Sequence, residues 1–309
     1  MSKKILILFG ILAFYLIFIA YSDFEKFSVN VLDFKFEFLP FILTGSFIVM
    51  IIKGIRQQIL LEKIKVNISL KNSILLYLAG LSLLVTPGGS GELIKSYFLK
   101  KKYGTKITNS FPIVIIERFH DLLAIITIIS FTLFFIPIFE IFVLVSIVIV
   151  FLLIAFTAMR SKKIFQLVTR TFAKLPKIKN FIENINESYE GFHSLTRTKI
   201  TAKNWMISLS AWSLDAIVVF LVFLGFNLNL EIIFTTLVMF SSLLIGVLTL
   251  LPAGFGVTEV SIVSFLTNRG IEISLAVSII FMIRLVTTWF ATVVGFIATK
   301  FFFGEKSKK

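Results

Sequence analysis

Two short stretches of this chain repeat the same residue types in the same order. One is Pro87-Gly88-Gly89-Ser90-Gly91-Glu92; the other is Pro252-Ala253-Gly254-Phe255-Gly256-Val257-Thr258-Glu259. Each ends a long apolar run, and each precedes an apolar segment carrying one arginine, Arg118 or Arg284. The spacing from proline to arginine is 31 positions in the first copy and 32 in the second. Proline and clustered glycines break a helix. A helix that restarts after such a break presents its first N–H groups without intrahelical partners, together with about half an elementary positive charge. That end, with an arginine at similar depth, can hold an anion where water is scarce. The candidate binding residues are therefore Pro87, Gly88, Gly89, Ser90, Gly91, Glu92 and Arg118 in the first copy. In the second they are Pro252, Gly254, Gly256, Glu259 and Arg284.

The elements that carry these motifs belong in a bilayer. Hydrophobic residues make up 57% of the 309, Phe alone occurs 37 times, and the mean hydropathy is +0.98. Apolar runs of roughly 20 residues match the ~30 Å hydrocarbon layer, and only helices or closed barrels satisfy their backbone there. The net charge of +14 does not point to nucleic acid, because Lys and Arg gather in the loops of one side, as the positive-inside rule expects. With no Cys and two His, neither a cofactor nor a metal site is expected.

Charge bias sets the topology. An uncleaved first span covers 5–21, an external loop 22–37, and a second span 38–53. The basic segment 53–72 then reads as cytoplasmic, with Ile55, Ile59, Leu60 and Ile64 on an interfacial helix. Residues 73–86 are too few to cross, and Lys100, Lys101 and Lys102 close the next stretch, so 73–103 reads as a re-entrant hairpin. Spans 110–136 and 138–158 follow. Residues 160–203 carry ten basic residues against Glu183, Glu187 and Glu190 and read as cytoplasmic surface helices. They fix orientation or attract anionic headgroups. Span 204–224, external loop 225–231, a hairpin of 232–251 and 255–268, and span 273–303 complete the chain. The expectation is a single all-α integral membrane protein of 309 residues. It has about six full spans and two hairpins, multi-pass in the plasma membrane with both termini cytoplasmic. The units 73–136 and 232–303 then run in opposite senses, an inverted repeat of the kind that surrounds a midplane transport site.

The arginines agree in depth. Arg118 lies about 12 Å and Arg284 about 16 Å into their helices at 1.5 Å per residue. A charge there needs a partner. Glu92, Glu117, Asp121, Asp215, Glu259 or a substrate phosphate can supply it. Arg118 pairs with Asp121 or Glu92, or with a ligand; Arg284 pairs with Glu259 or a ligand. Glu117 and Asp121 are candidate ion-pair members, and Asp215 is either a proton-coupling carboxylate or a buried hydrogen-bonded one. His120 beside Asp121 lacks a nucleophile, so an enzyme is not expected.

The pattern from Thr86 to Glu92, then Glu117-Arg118 with Asp121, then Leu251 to Gly256 with Glu259, resembles the transmembrane region of lysylphosphatidylglycerol synthases over nearly the whole chain. That family includes stand-alone membrane proteins of this length. The resemblance implies flipping of a lipid with an anionic headgroup, an aminoacyl-phospholipid, another phospholipid or a polyprenyl phosphate. The partners are then membrane lipids. No soluble aminoacyl-transferring domain follows Phe303 in this sequence, so synthesis of the lipid is not expected. Other readings are an ion-coupled carrier of a small anion and a non-catalytic partner of a lipid- or glycan-modifying enzyme. Ala253 stands where the first copy has Gly88, and Glu259 falls two positions later than Glu92, so the two halves need not bind the same group.

Overall fold

A computed structural model gives the architecture. It describes residues 15, 17, 18, 20–84, 93–173, 188–249 and 251–304. Most of the expected first span and the whole first motif, Pro87 to Glu92, lie outside the described residues, as does Pro176. Those described are helical or in turns, with no strand among them. The protein is an all-α integral membrane protein, and among the described residues four helical stretches are long and apolar enough to cross a bilayer: Phe36–Lys63, Phe139–Arg160, Thr198–Gly225 and Ile273–Gly304.

In chain order the helices are α1 (Phe24–Leu32), α2 (Leu39–Lys63), α3 (Leu70–Gly80), α4 (Ile94–Tyr103), α5 (Ile107–Phe135), α6 (Phe139–Arg160) and α7 (Lys162–Ala173). Then come α8 (Tyr189–Leu195), α9 (Thr198–Gly225), α10 (Ile232–Leu248), α11 (Val257–Thr267), α12 (Ile273–Arg284) and α13 (Phe290–Gly304). Their ends follow local chemistry. Asp23 caps α1 by accepting from the Lys26 N–H, and Ser69 caps α3 by accepting from the Asn72 N–H, each satisfying an orphan donor. Gly104 ends α4 in the left-handed conformation, which costs a glycine nothing. The outer face of α6 leaves Phe142, Ile147, Val150, Phe151, Leu153 and Ile154 exposed, an apolar surface suited to lipid.

Three sequence expectations are corrected. Residues 22–37 contain α1, which packs on α12 and is tied to it by the exposed Lys26–Glu272 pair at 2.6 Å; the Glu272 carboxylate holds the Lys26 ammonium above its ordinary range. The second span does not stop at residue 53. It continues as one helix to Lys63, so no separate interfacial helix forms over Ile55–Ile64. Finally, α9 begins at Thr198 and not at 204, so Lys199 and Lys203 belong to the long helix and not to a surface helix before it. In the last two cases basic residues of a long helix were assigned to a separate cytoplasmic segment, because charge bias carries no information about where a helix ends.

The two broken helices fold back as hairpins. Arms α10 and α11 pack together, and Arg269 after the return arm sits 4.3 Å over the ring of Phe234 near the start of the first. The unit thus returns to the level at which it entered. At its tip Ala253, Gly254 and Gly256 all have positive φ (48°, 68° and 88°), a conformation natural for glycine and strained for alanine. Arms α3 and α4 form the other hairpin. The end of α4 meets the end of α13, where the Lys102 ammonium donates to the Phe302 carbonyl and Phe98 packs edge-on against Phe303 at 5.0 Å.

Helix α13 lies so close to the end of α3 and the 3₁₀ turn after it that a Cβ on Gly295 would come within 2.9 Å of Leu78 O and 2.3 Å of Ser82 N. Small residues permit such backbone approach between membrane helices. Replacing Gly295 by valine is expected to destabilise the protein by about 1–3 kcal/mol through overpacking. Gly304→Ala, with nothing within 4 Å, should leave stability unchanged. Thermal unfolding of the detergent-solubilised variants checks both.

Candidate functional site

The buried charges fall into two clusters, built from different helices. The first forms where α2, α5 and α9 cross at mid-length. Lys53, Asp121 and Trp212 are each the fifteenth residue of helices 25, 29 and 28 residues long. Arg56, fully buried, donates through Nη1 to Asp121 Oδ1 at 2.5 Å and through Nη2 to Oδ2 at 3.4 Å, while Ser208 Oγ lies 2.5 Å from Nη1. Trp212 Nε1 donates to the same Asp121 oxygen at 3.1 Å. The Lys53 ammonium stands 3.7 Å above the Trp212 ring. Asp215, one turn further along α9, is half-buried and within Coulombic reach of Lys53. Alongside, Lys95 of α4 makes a buried ion pair with Glu117 of α5, and its ammonium faces the Tyr77 ring at 5.1 Å.

The second cluster forms at the tip of the second hairpin. Glu259, fully buried in the first turn of α11, accepts from three directions: the Gly256 N–H at 2.8 Å, Arg284 Nε at 2.7 Å and the Tyr15 hydroxyl at 3.1 Å. Arg284 ends α12, and a π-helical turn over Leu285–Trp289 follows it. Such turns recur at functional sites. The Arg284 guanidinium lies 5.0 Å over the Phe255 ring, and its Nη1 approaches Thr288 Oγ1 at 3.5 Å. Arg284 Nη2 and Thr258 Oγ1 are buried with no hydrogen-bond partner.

The structure brings together some of the residues read from the sequence and separates others. Gly256, Glu259 and Arg284 converge, and Gly254 packs against Thr258 of the same turn, whose Oγ1 a Cβ on Gly254 would meet at 2.6 Å; Pro252 opens the 3₁₀ turn before it.

 Asp121 takes Arg56 as its partner, not Arg118, and Glu117 takes Lys95; Arg118 itself is half-buried on α5. Asp215 stands near the first cluster without joining its hydrogen bonds. Pro87, Gly88, Gly89, Ser90, Gly91 and Glu92 lie outside the described residues. Sequence reasoning missed Lys53, Arg56, Lys95 and Tyr15. The first two were read as cytoplasmic, and Lys95 was passed over within the second arm of the first hairpin. A usable signal was present: Arg56 and Gln57 interrupt an apolar run that resumes with Ile59, Leu60 and Leu61, which is the pattern of a helix with one buried polar face.

The chemistry of the two clusters differs. In the first, Arg56 and Asp121 are paired in a fork geometry that uses most of their hydrogen-bonding capacity. In the second, a carboxylate occupies a point where an amide at a helix start, a guanidinium and a phenol all converge, which is the donor set of an oxyanion site. A recess of about 250 Å³ on the basic surface, lined by Lys162, Phe165, Gln166, Thr169, Arg170 and Tyr189, contains none of the candidate residues.

Removing one member of a buried pair strands the other charge, at a cost of about 3–5 kcal/mol, whereas replacing both by apolar residues is close to neutral. Asp121→Asn is therefore expected to lower stability strongly, and Arg56→Met combined with Asp121→Leu to recover most of it. Thermal unfolding in detergent distinguishes the two; equal losses would show that the pair does not act as a unit.

A family model described as the lysylphosphatidylglycerol synthase TM region matches residues 5–295. A UPF0104 membrane protein of Methanocaldococcus jannaschii is 26% identical, the match covering 72% of this chain and 94% of that protein. Another from the same organism is 25% identical, covering 100% of this chain and 97% of the relative. A UPF0104 membrane protein of Pyrococcus horikoshii is 24% identical over 96% of each. No solved structure matches the chain. With the broken second helix, its paired arginine and a match across nearly its full length, the chain belongs to the lysylphosphatidylglycerol synthase transmembrane-region family.

Proposed function

We propose that this protein moves a lipid with an anionic headgroup between the leaflets of the plasma membrane, without covalent chemistry, and that both of its termini face the cytoplasm. The observation that carries this reading is the environment of Glu259. Its carboxylate sits where the Gly256 N–H, Arg284 and Tyr15 all donate. A lipid phosphate presents the same kind of acceptor with more oxygens. Arriving from the membrane, it can exchange for the carboxylate and engage the two buried donors that Glu259 leaves unused, Arg284 Nη2 and Thr258 Oγ1. The exchange swaps one charge-assisted set of hydrogen bonds for another, so the Arg284 guanidinium stays paired while the hairpin tip opens.

The family supports the reading at a coarser level, through a membrane region named for a lipid-modifying enzyme. The first motif and Arg118 are proposed to serve the opposite half of the cycle in an inverted arrangement. Gly88, Gly89, Ser90, Gly91 and Glu92 after Pro87 would form its tip.

The test is transport in proteoliposomes. Purified protein is expected to move labelled phosphatidylglycerol between leaflets, and Arg284→Gln to slow that movement by about tenfold or more, the loss of one charge-assisted contact. Movement at the same rate in Arg284→Gln and Arg118→Gln would remove both arginines from the mechanism. Uptake of a soluble phosphate ester without lipid movement would favour a carrier of small anions. Topology is checked separately: reporters fused after Gly270 should read external and those after Lys102 internal.

A further inference from the structure

Lys53 is the one cation of the first cluster whose ammonium lacks a hydrogen-bond partner among the described residues. Arg56 is held by Asp121, and Lys95 by Glu117. Lys53 is only 9% exposed, and its contact is the face of Trp212 at 3.7 Å. An ammonium has three donors and no acceptor. The aromatic face offers it electrostatic attraction, but no lone pair. At the middle of a membrane helix such a group is costly unless something completes it. Trp212 cannot turn away, because its Nε1 is fixed to Asp121.

We infer that Lys53, resting on Trp212, is a mid-bilayer station for the phosphate of the moving lipid. The inference rests on the proposed function and names a second contact point, on α2 and not on a hairpin tip. A phosphate oxygen approaching the ammonium from the side opposite the ring supplies the missing acceptors while the cation–π contact stays in place. Arg56 does not take this role: its Nη1 and Nη2 are engaged by Asp121 and Ser208, and its one unpartnered donor, Nε, belongs to a side chain with no exposed surface. Asp215 limits how long the guest stays. Its carboxyl, one turn from Trp212 on α9, is within Coulombic reach of Lys53 without an ion pair, so in its charged form it repels the bound anion. A transport station needs that balance, favourable enough to enter and weak enough to leave.

Trp212 reports on this site directly. The chain has three tryptophans, so Trp205→Phe with Trp289→Phe leaves Trp212 alone. In neutral phosphatidylcholine nanodiscs, dioctanoyl phosphatidylglycerol is expected to change the emission of this protein saturably, and dioctanoylglycerol, which lacks the phosphate, to leave it unchanged. Lys53→Met should weaken the response about tenfold or more, and Lys53→Arg should retain it. Asp215→Asn should tighten it, an opposite shift that a purely structural role for the cluster does not give. Equal affinity in Lys53→Met and the parent, or no tightening in Asp215→Asn, overturns the inference. Inorganic phosphate producing the same saturating response as the lipid would make the site one for free anions and overturn the lipid assignment. Transport measured on the same proteins separates the two ideas. Lipid movement unaffected by Lys53→Met sinks this inference alone, while binding at Lys53 without any lipid movement sinks the proposed function alone.

Discussion

A charge inside hydrocarbon must be matched by another charge or by several donors, and this requirement organises the protein. Each buried pair ties one helix to another. Arg56 with Asp121 and Ser208 binds α2, α5 and α9 at their centres. Lys95 with Glu117 fixes the return arm of the first hairpin to α5. Glu259 with Arg284 and Tyr15 fixes the return arm of the second hairpin to α12 and to the first segment of the chain. Apolar packing in a bilayer is weakly selective, because lipid tails are as apolar as leucine. Polar pairs choose among the packings that apolar contact alone would permit.

The two hairpins are pinned in a related way but with opposite polarity. On the first, the cation sits on the return arm (Lys95) and the anion on the following helix (Glu117). On the second, the anion sits on the arm (Glu259) and the cation on the helix (Arg284). An anionic guest that exchanges with a carboxylate therefore releases a different element in each half. In the second half it stays with α12 and frees the arm; in the first it would stay with the arm and free α5. On the proposed function such an asymmetry would give the two hairpins different roles around one guest, in keeping with the departures in sequence between the two motifs, Ala253 for Gly88 and the later glutamate.

The second hairpin was legible because its signals are local. Proline, glycines at fixed spacing and an arginine 32 residues on specify a break, a tip and a buried charge, and Glu259 is near enough in sequence to be named as the partner. The mid-helix cluster was not legible, because its members come from α2, α5 and α9 and nothing local links them. Lys53 and Arg56 stand close in sequence to Lys63, Lys65 and Lys71 at and between the helix ends, and a charge count treats them alike. Their difference is that α2 continues ten residues beyond Lys53, which depends on tertiary burial of one polar face and not on hydropathy. Tyr15 was hidden for a similar reason: a phenol in an apolar run reads as packing until its acceptor is known.

The central claim is that the Glu259 carboxylate holds the place of a lipid phosphate. An experimental structure of the protein with a short-chain phosphatidylglycerol tests it most directly. The account predicts phosphate density against Arg284 and the Gly256 N–H, with Glu259 released from both. Phosphate bound elsewhere, with the Glu259–Arg284 pair intact, would contradict it.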